Sequence, residues 1–307
     1  MTLGRGLAAF AGIATVLALV APGAASARQL AMTFDDLPAH SMLPPGVTRV
    51  EVARRIINAL KAARLPPVYG FVNGVQIERE PASAPVLEMW RKAGFPLANH
   101  TWSHPNLNAI ALEDWEADVV RNEPLLQAAM GDGDWRWLRF PYLSEGDTPE
   151  KRTAARAFLA HRGYHIAQVT MSFDDYAFNE PYARCEAKGD KASVVRLERD
   201  YLAAAAAEID RASAMSRTLY GRDIPYVLLM HLGAFDARMA PRLLKLYRDR
   251  GFSFVTLPAA EQDPFYQPDI DLAASSATDT LEAAMNARGL PLPAKMVDLA
   301  WLDSACR

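Results

Sequence analysis

His100 and His104 lie four residues apart in the polar segment Asn99-His100-Thr101-Trp102-Ser103-His104-Pro105. One helical turn of backbone between them would aim both imidazoles at a single point. Neutral imidazole is the commonest metal-binding side chain, so the pair suggests two ligands awaiting a third. Two exposed loop histidines would have the same spacing, and the pair alone does not decide between the readings. The adjacent carboxylates Asp35-Asp36 supply what is missing. Neighbouring residues leaving a strand point in different directions, so one carboxylate can bind a cation while the other does acid–base work. One carboxylate and two imidazoles leave positions open for water or substrate, as a catalytic metal requires.

Such residues act together only if the elements that carry them end on one face. Apolar segments at 29–34, 68–72, 95–98, 135–140, 164–170, 225–230 and 252–257 are expected as strands. Helical patterns separate them. Thr48-Arg49-Val50-Glu51 forms a capping box ahead of Val52, Ile56, Ile57 and Leu60. Val86, Leu87 and Trp90 mark an inward face over 83–93, and Trp115, Val119 and Val120 one over 112–130, where Pro124 should kink or split the helix. Further helices are expected from Thr148-Pro149-Glu150 to Gly163, over 193–220 and over 241–250.

This alternation predicts a parallel α/β sheet with helices outside it. About seven βα repeats could close into a distorted (β/α) barrel or stay open. The barrel is preferred because the chemistry-bearing residues leave many strand ends: Asp35-Asp36, His100 and His104, Arg139 and Tyr142, Asp174-Asp175, and His231.

The chain has 307 residues, half of them hydrophobic and 22% charged, with a net charge of −3. That balance offers no basic footprint for nucleic acid. In residues 1–27, Arg5 is the only charge, 7–20 is apolar and Ala25-Ser26-Ala27 offers a small-residue cleavage point. This is the layout of a cleavable signal peptide rather than a membrane span, with an uncleaved anchor as the alternative. A secreted or periplasmic protein beginning near Arg28 is expected, without a stable membrane span after cleavage. An oxidising compartment would permit a Cys185–Cys306 bridge. Residues 28–258 are read as the barrel domain and 259–307 as a C-terminal extension packed on it, with a helix over 273–287.

Thr33-Phe34-Asp35-Asp36, His100-Thr101-Trp102-Ser103-His104-Pro105, Arg139-Phe140-Pro141-Tyr142 and Leu228-Leu229-Met230-His231 occur in that order. Together they resemble the successive motifs of the NodB-homology polysaccharide deacetylases, carbohydrate esterase family four. The resemblance implies a distorted (β/α) barrel of NodB type and metal-dependent removal of acetyl groups from an N- or O-acetylated glycan. By position it makes Asp36, His100 and His104 the ligands of a divalent metal, and Asp35 the general base, held by Arg139. His231 becomes the general acid, and the backbone N–H of Tyr142 joins the metal at the oxyanion. Zinc suits the ligand set, and cobalt, nickel or manganese would also be accepted.

Two departures stand out. Where the family has glycine after the paired aspartates, this chain has Leu37-Pro38, expected to add bulk at the cleft rim. Its fourth motif, Phe173-Asp174-Asp175-Tyr176, lacks the family's tryptophan, and either Asp174 or Asp175 could orient His231. His40 follows the Asp pair closely and could line the cleft, but is read as an exposed loop histidine. His161 and His165 should diverge, because Gly163 lies between them. Hydrolysis of a non-sugar linear amide on the same site, or glycan binding without catalysis, are the competing functions.

Overall fold

Leu30 to Phe34 is buried throughout, the pattern of a strand covered on both faces. It forms the middle of β1 (Arg28–Leu37). The computed structural model describes residues 1–2, 28–272, 280–295 and 297–307, so the expected signal peptide falls almost wholly outside the described residues. Among the described residues six further strands succeed β1: β2 (Tyr69–Val72), β3 (Leu97–Asn99), β4 (Trp137–Leu138), β5 (His165–Ile166), β6 (Tyr226–His231) and β7 (Phe252–Val255).

All seven are parallel, six of them in the order β5-β4-β3-β2-β1-β6. β7 pairs with the first residues of β1, from Arg28 to Ala31, on the side that β2 occupies further along. Beyond β5 the chain reaches across to β6. Thr170 and Met171 donate to the Val227 carbonyl at 3.1 Å, and Met171 bridges Leu228. That strap curls the sheet into an incomplete (β/α) barrel, and the parallel direction brings every strand's C-terminal end to one face.

β4 and β5 are each two residues long, shorter than their apolar runs suggested. Side chains take the backbone groups a ladder would use. Glu261 accepts from the Gln168 N–H at 2.9 Å, and the Ala167 carbonyl accepts from Arg139 Nε at 2.6 Å.

The helix Arg49–Ala62 buries Val52, Ile56, Ile57 and Leu60, and Thr48 Oγ1 accepts from the Glu51 N–H at 3.2 Å. The helix Leu112–Met130 runs through Pro124 unsplit, with Trp115, Val119, Leu126 and Met130 buried. Val120, expected on the buried face, is exposed. Its carbonyl is the one that loses a donor to Pro124, and there water can replace the missing N–H. Pro241 likewise sits inside a helix, Ala234–Asp249, which starts well before the expected 241. An unforeseen helix, Asn179–Lys188, comes after the acidic loop, and Lys191–Tyr220 is the long one.

Past β7 the chain lies against the barrel. His165 Nδ1 donates to the Ile270 carbonyl at 3.1 Å, and Arg184 donates to the carbonyls of Leu302 and Ala305, both at 3.0 Å. Cys185 and Cys306 form the disulfide. Of the helix expected over 273–287, Leu281–Ala287 is present and 273–279 lies outside the described residues. Among the described residues no helix is long and apolar enough to cross a membrane.

Candidate active site

β3 ends at Asn99, whose buried side chain shapes the loop that leaves the strand. Its Oδ1 accepts from the Thr101 N–H at 2.8 Å and from Asn122 Nδ2 at 2.9 Å. His100 and His104 meet through a loop rather than a helical turn, with Thr101 (φ 64°) and His104 (φ 61°) in the left-handed region. Strained backbone of this kind persists where the surroundings over-determine it.

The two rings stand 4.8 Å apart. Both Nε2 atoms face Asp36 Oδ1, at 3.6 Å from His100 and 3.5 Å from His104. One donor atom from each of Asp36, His100 and His104 lies within 4.8 Å of the others. His100 Nδ1 donates to the Arg139 carbonyl at 2.7 Å, which fixes the ring with Nε2 turned into the site. Burial, and then the neighbouring His100, push His104 down to about 4 against the pull of Asp36 and Asp35. Burial alone would raise Asp36. The hydrogen bond from His40 and the charges of His40, His231 and His100 outweigh it and hold the carboxyl well below the usual carboxylate range. At neutral pH the cluster thus offers an ionised carboxylate and a neutral His104, a donor set that fits a divalent cation.

Asp35 stands beside this cluster, with Oδ2 at 3.8 Å from His100 Nε2. Buried Arg139 grips it, donating from Nη1 to both carboxylate oxygens at 3.2 and 3.3 Å. Arg139 is itself held by the Ala167 carbonyl and by Thr33 Oγ1, over the ring of Phe71.

In the ladder Asp35 is the partner of His231, so the ends of β1 and β6 place a carboxylate and an imidazole side by side. Of the two aspartates the sequence left open, Asp175 meets the histidine. It accepts from His231 Nδ1 at 3.0 Å and from the His231 backbone N–H at 2.7 Å. Asp174 turns the other way, with φ at 59°, to accept from Lys295 at 3.2 Å. Burial pulls His231 down, but the charge and hydrogen bond of Asp175, with Asp36 and Asp35 behind them, push it up to about 10.

Asp35, Asp36, His100, His104 and His231 line one cavity of about 550 Å³, with Asp174 also on its wall and Arg139 and Asp175 behind it. Tyr142 (φ 58°) is exposed at its mouth with its ring 4.6 Å from that of His104, and Tyr176 stands 5.5 Å from His231. Two residues differ from expectation. Leu37 is fully buried rather than at the rim, packed where a Cβ on Gly70 would come within 2.5 Å of its Cδ2. His40 lines the cavity, with Nδ1 donating to Asp36 Oδ2 at 2.8 Å. Its signal in the sequence is its closeness to the Asp35-Asp36 pair, which does not fix the direction in which a loop side chain turns. His161 and His165 form no donor cluster among the described residues.

Residues 23–160 match the family model described as polysaccharide deacetylase. This segment, a little under half of the chain, is similar to the polysaccharide deacetylases. The chain is 25% identical over 114 residues to a peptidoglycan-N-acetylglucosamine deacetylase of Bacillus cereus, covering 37% of this chain and 36% of the relative. It is 27% identical over 111 residues to a chitooligosaccharide deacetylase of Sinorhizobium fredii, covering 36% and 45%. The matched stretch therefore spans less than half the length of either curated relative. Among solved structures, the chitin deacetylase of Colletotrichum lindemuthianum shares the fold at a TM-score of 0.51 and 19% identity, over 76% of this chain and 87% of that one.

Proposed function

We propose that the protein is a metal-dependent deacetylase that removes acetyl groups from N-acetylated, or O-acetylated, carbohydrate. The observation that carries this reading is the meeting of Asp36, His100 and His104 donor atoms within 4.8 Å in a cavity that also presents Asp35 and His231. The named activities of the two curated relatives point the same way.

In this reading Asp36, His100 and His104 hold the cation, with zinc best suited to the donor set and cobalt, nickel or manganese accommodated. Bound there, it polarises the acetyl carbonyl and acidifies water. Asp35, fixed by Arg139, takes the proton of the attacking water, and the Tyr142 backbone N–H supports the oxyanion. An amine leaves only when protonated, and His231, charged by its pairing with Asp175, delivers that proton. Two carboxylates flanking a glycosidic bond would be a glycosidase arrangement, but Asp35 and Asp36 are adjacent on one strand end and cannot lie on opposite sides of a sugar.

Residues 1–27 are proposed as a cleaved signal peptide, 28–258 as the deacetylase barrel and 259–307 as its extension. The Cys185–Cys306 disulfide suits a secreted or periplasmic location.

The test is acetate release from chitin oligomers, peptidoglycan and acetylxylan with zinc, cobalt, nickel or manganese added, beside a His100→Ala control. Metal-stimulated release from a glycan supports the reading. Release from simple amides alone would replace the substrate class, and glycan binding without release would replace the enzyme with a binding protein.

A further inference from the structure

Asp36 has two carboxylate oxygens, and they face different partners. Oδ1 looks at His100 and His104, the two imidazoles of the donor cluster. Oδ2 is taken by His40 Nδ1 at 2.8 Å. A carboxylate oxygen is an acceptor, so the proton on this bond sits on Nδ1 of His40.

His40 is built into that position. Its backbone carbonyl accepts from Arg49 Nη1 at 2.7 Å, and Arg49 is paired in turn with Glu80 at 3.0 Å. Its ring packs against that of His231, with centroids 4.7 Å apart. The imidazole is therefore held between the proton-donating side of the cavity and the carboxylate of the cation site.

We propose that His40 is a positioning residue that restricts Asp36 to coordination through Oδ1 alone. A carboxylate free to rotate can chelate a cation with both oxygens and fill two positions of its shell. With Oδ2 occupied, Asp36 fills one, and a position stays open for water or the substrate carbonyl. Partners that orient a metal ligand typically change metal affinity by about 10–100-fold when removed.

The inference rests on the proposed function, because it requires a cation at this site. Two substitutions separate the hydrogen bond from the ring. His40→Phe keeps a ring against His231 and loses the donor. His40→Asn places an amide N–H close to where Nδ1 stands and loses the ring. Cobalt(II) is the probe, titrated into chelator-treated full-length protein by calorimetry and by visible absorption, whose intensity falls as coordination number rises.

The expected result is binding weakened at least about 10-fold, with weaker visible bands, in His40→Phe, and recovery of both towards wild type in His40→Asn. His40→Ala serves the same comparison if the phenylalanine variant does not fold. Wild-type affinity and spectrum in the variants lacking the donor overturn the inference alone, as does a His40→Asn variant no better than His40→Phe. A wild-type protein that takes up no cobalt overturns the proposed function and the inference with it.

Discussion

Two imidazoles on opposite sides of one cavity have been driven apart. His104, on the cation side, is pushed down to about 4, and His231, on the other, up to about 10. Both are partly buried and both have Asp35 and Asp36 among their neighbours. The difference lies in what each ring touches directly. His104 meets a second imidazole, His100, and shares with it the one Asp36 oxygen that both rings face, at 3.5 Å and without a hydrogen bond to it. His231 is bonded through both ring and backbone to Asp175, which is fully buried. One residue type thus yields a neutral lone pair for a metal and a charged N–H for a leaving group, set by one carboxylate.

The contrast can be broken at its centre or at either side. Asp35 sits between the two, and Asp35→Asn should lower acetate release about 10²–10⁴-fold, the usual share of a general base. Metal content measured on the same preparation should be unchanged, since Asp35 is not one of the three donors.

The next largest effect lies on the side of His231. Asp175 leads into the helix Asn179–Lys188, which carries Cys185 of the disulfide. Replacing Cys185 and Cys306 together by Ser releases a 121-residue separation and should cost about 2–5 kcal/mol of stability in urea unfolding. Metal affinity at Asp36, His100 and His104 should stay at the wild-type value, because none of these residues lies on that helix.

Asp175→Asn acts on the His231 side of the cavity, where it removes the ring's carboxylate partner. Loss of the carboxylate charge lowers the imidazole pKa, so the basic limb of the kcat/KM profile should move to lower pH by about one unit or more. An unmoved limb would assign it to another group.

The smallest effects are on the pH dependence of stability in chelator-treated protein. The raised His231 contributes stability that is fully present below about 6.5 and is lost as pH rises towards about 10. His104, held down to about 4, does the reverse. The unfolded chain takes up a proton there that the folded one resists, so stability is lost as pH falls from about 6.5 towards 4. Unfolding midpoints measured against pH should flatten on the alkaline side in Asp175→Asn and on the acid side in His104→Gln. A common response in both variants would dissolve the contrast between the two sides.

Much of this site is legible in the chain because strand ends are. Apolar runs bounded by Asp35-Asp36, His100 and His231 need only a parallel sheet to bring those residues to one face, and helix caps such as Thr48 arise from local hydrogen bonding. Other features are not local. Nothing in Asp174-Asp175 separates two identical side chains; the left-handed φ of Asp174 turns it out to Lys295 and leaves Asp175 towards His231. Leu37 packs into the core because Gly70, a strand away, makes room for it. Val120 lies on the water side because the buried row of its helix passes through Trp115, Val119 and Leu126.

The sequence by itself determined the alternation that builds a parallel barrel and the residue types that fit a cation, a base and an acid, since periodicity and side-chain chemistry are properties of the chain. Only the tertiary structure decided which aspartate serves His231, that His40 reaches Asp36, and how far His104 and His231 diverge. Those outcomes depend on distances between strands and loops far apart in the chain, and on burial that makes each nearby charge count.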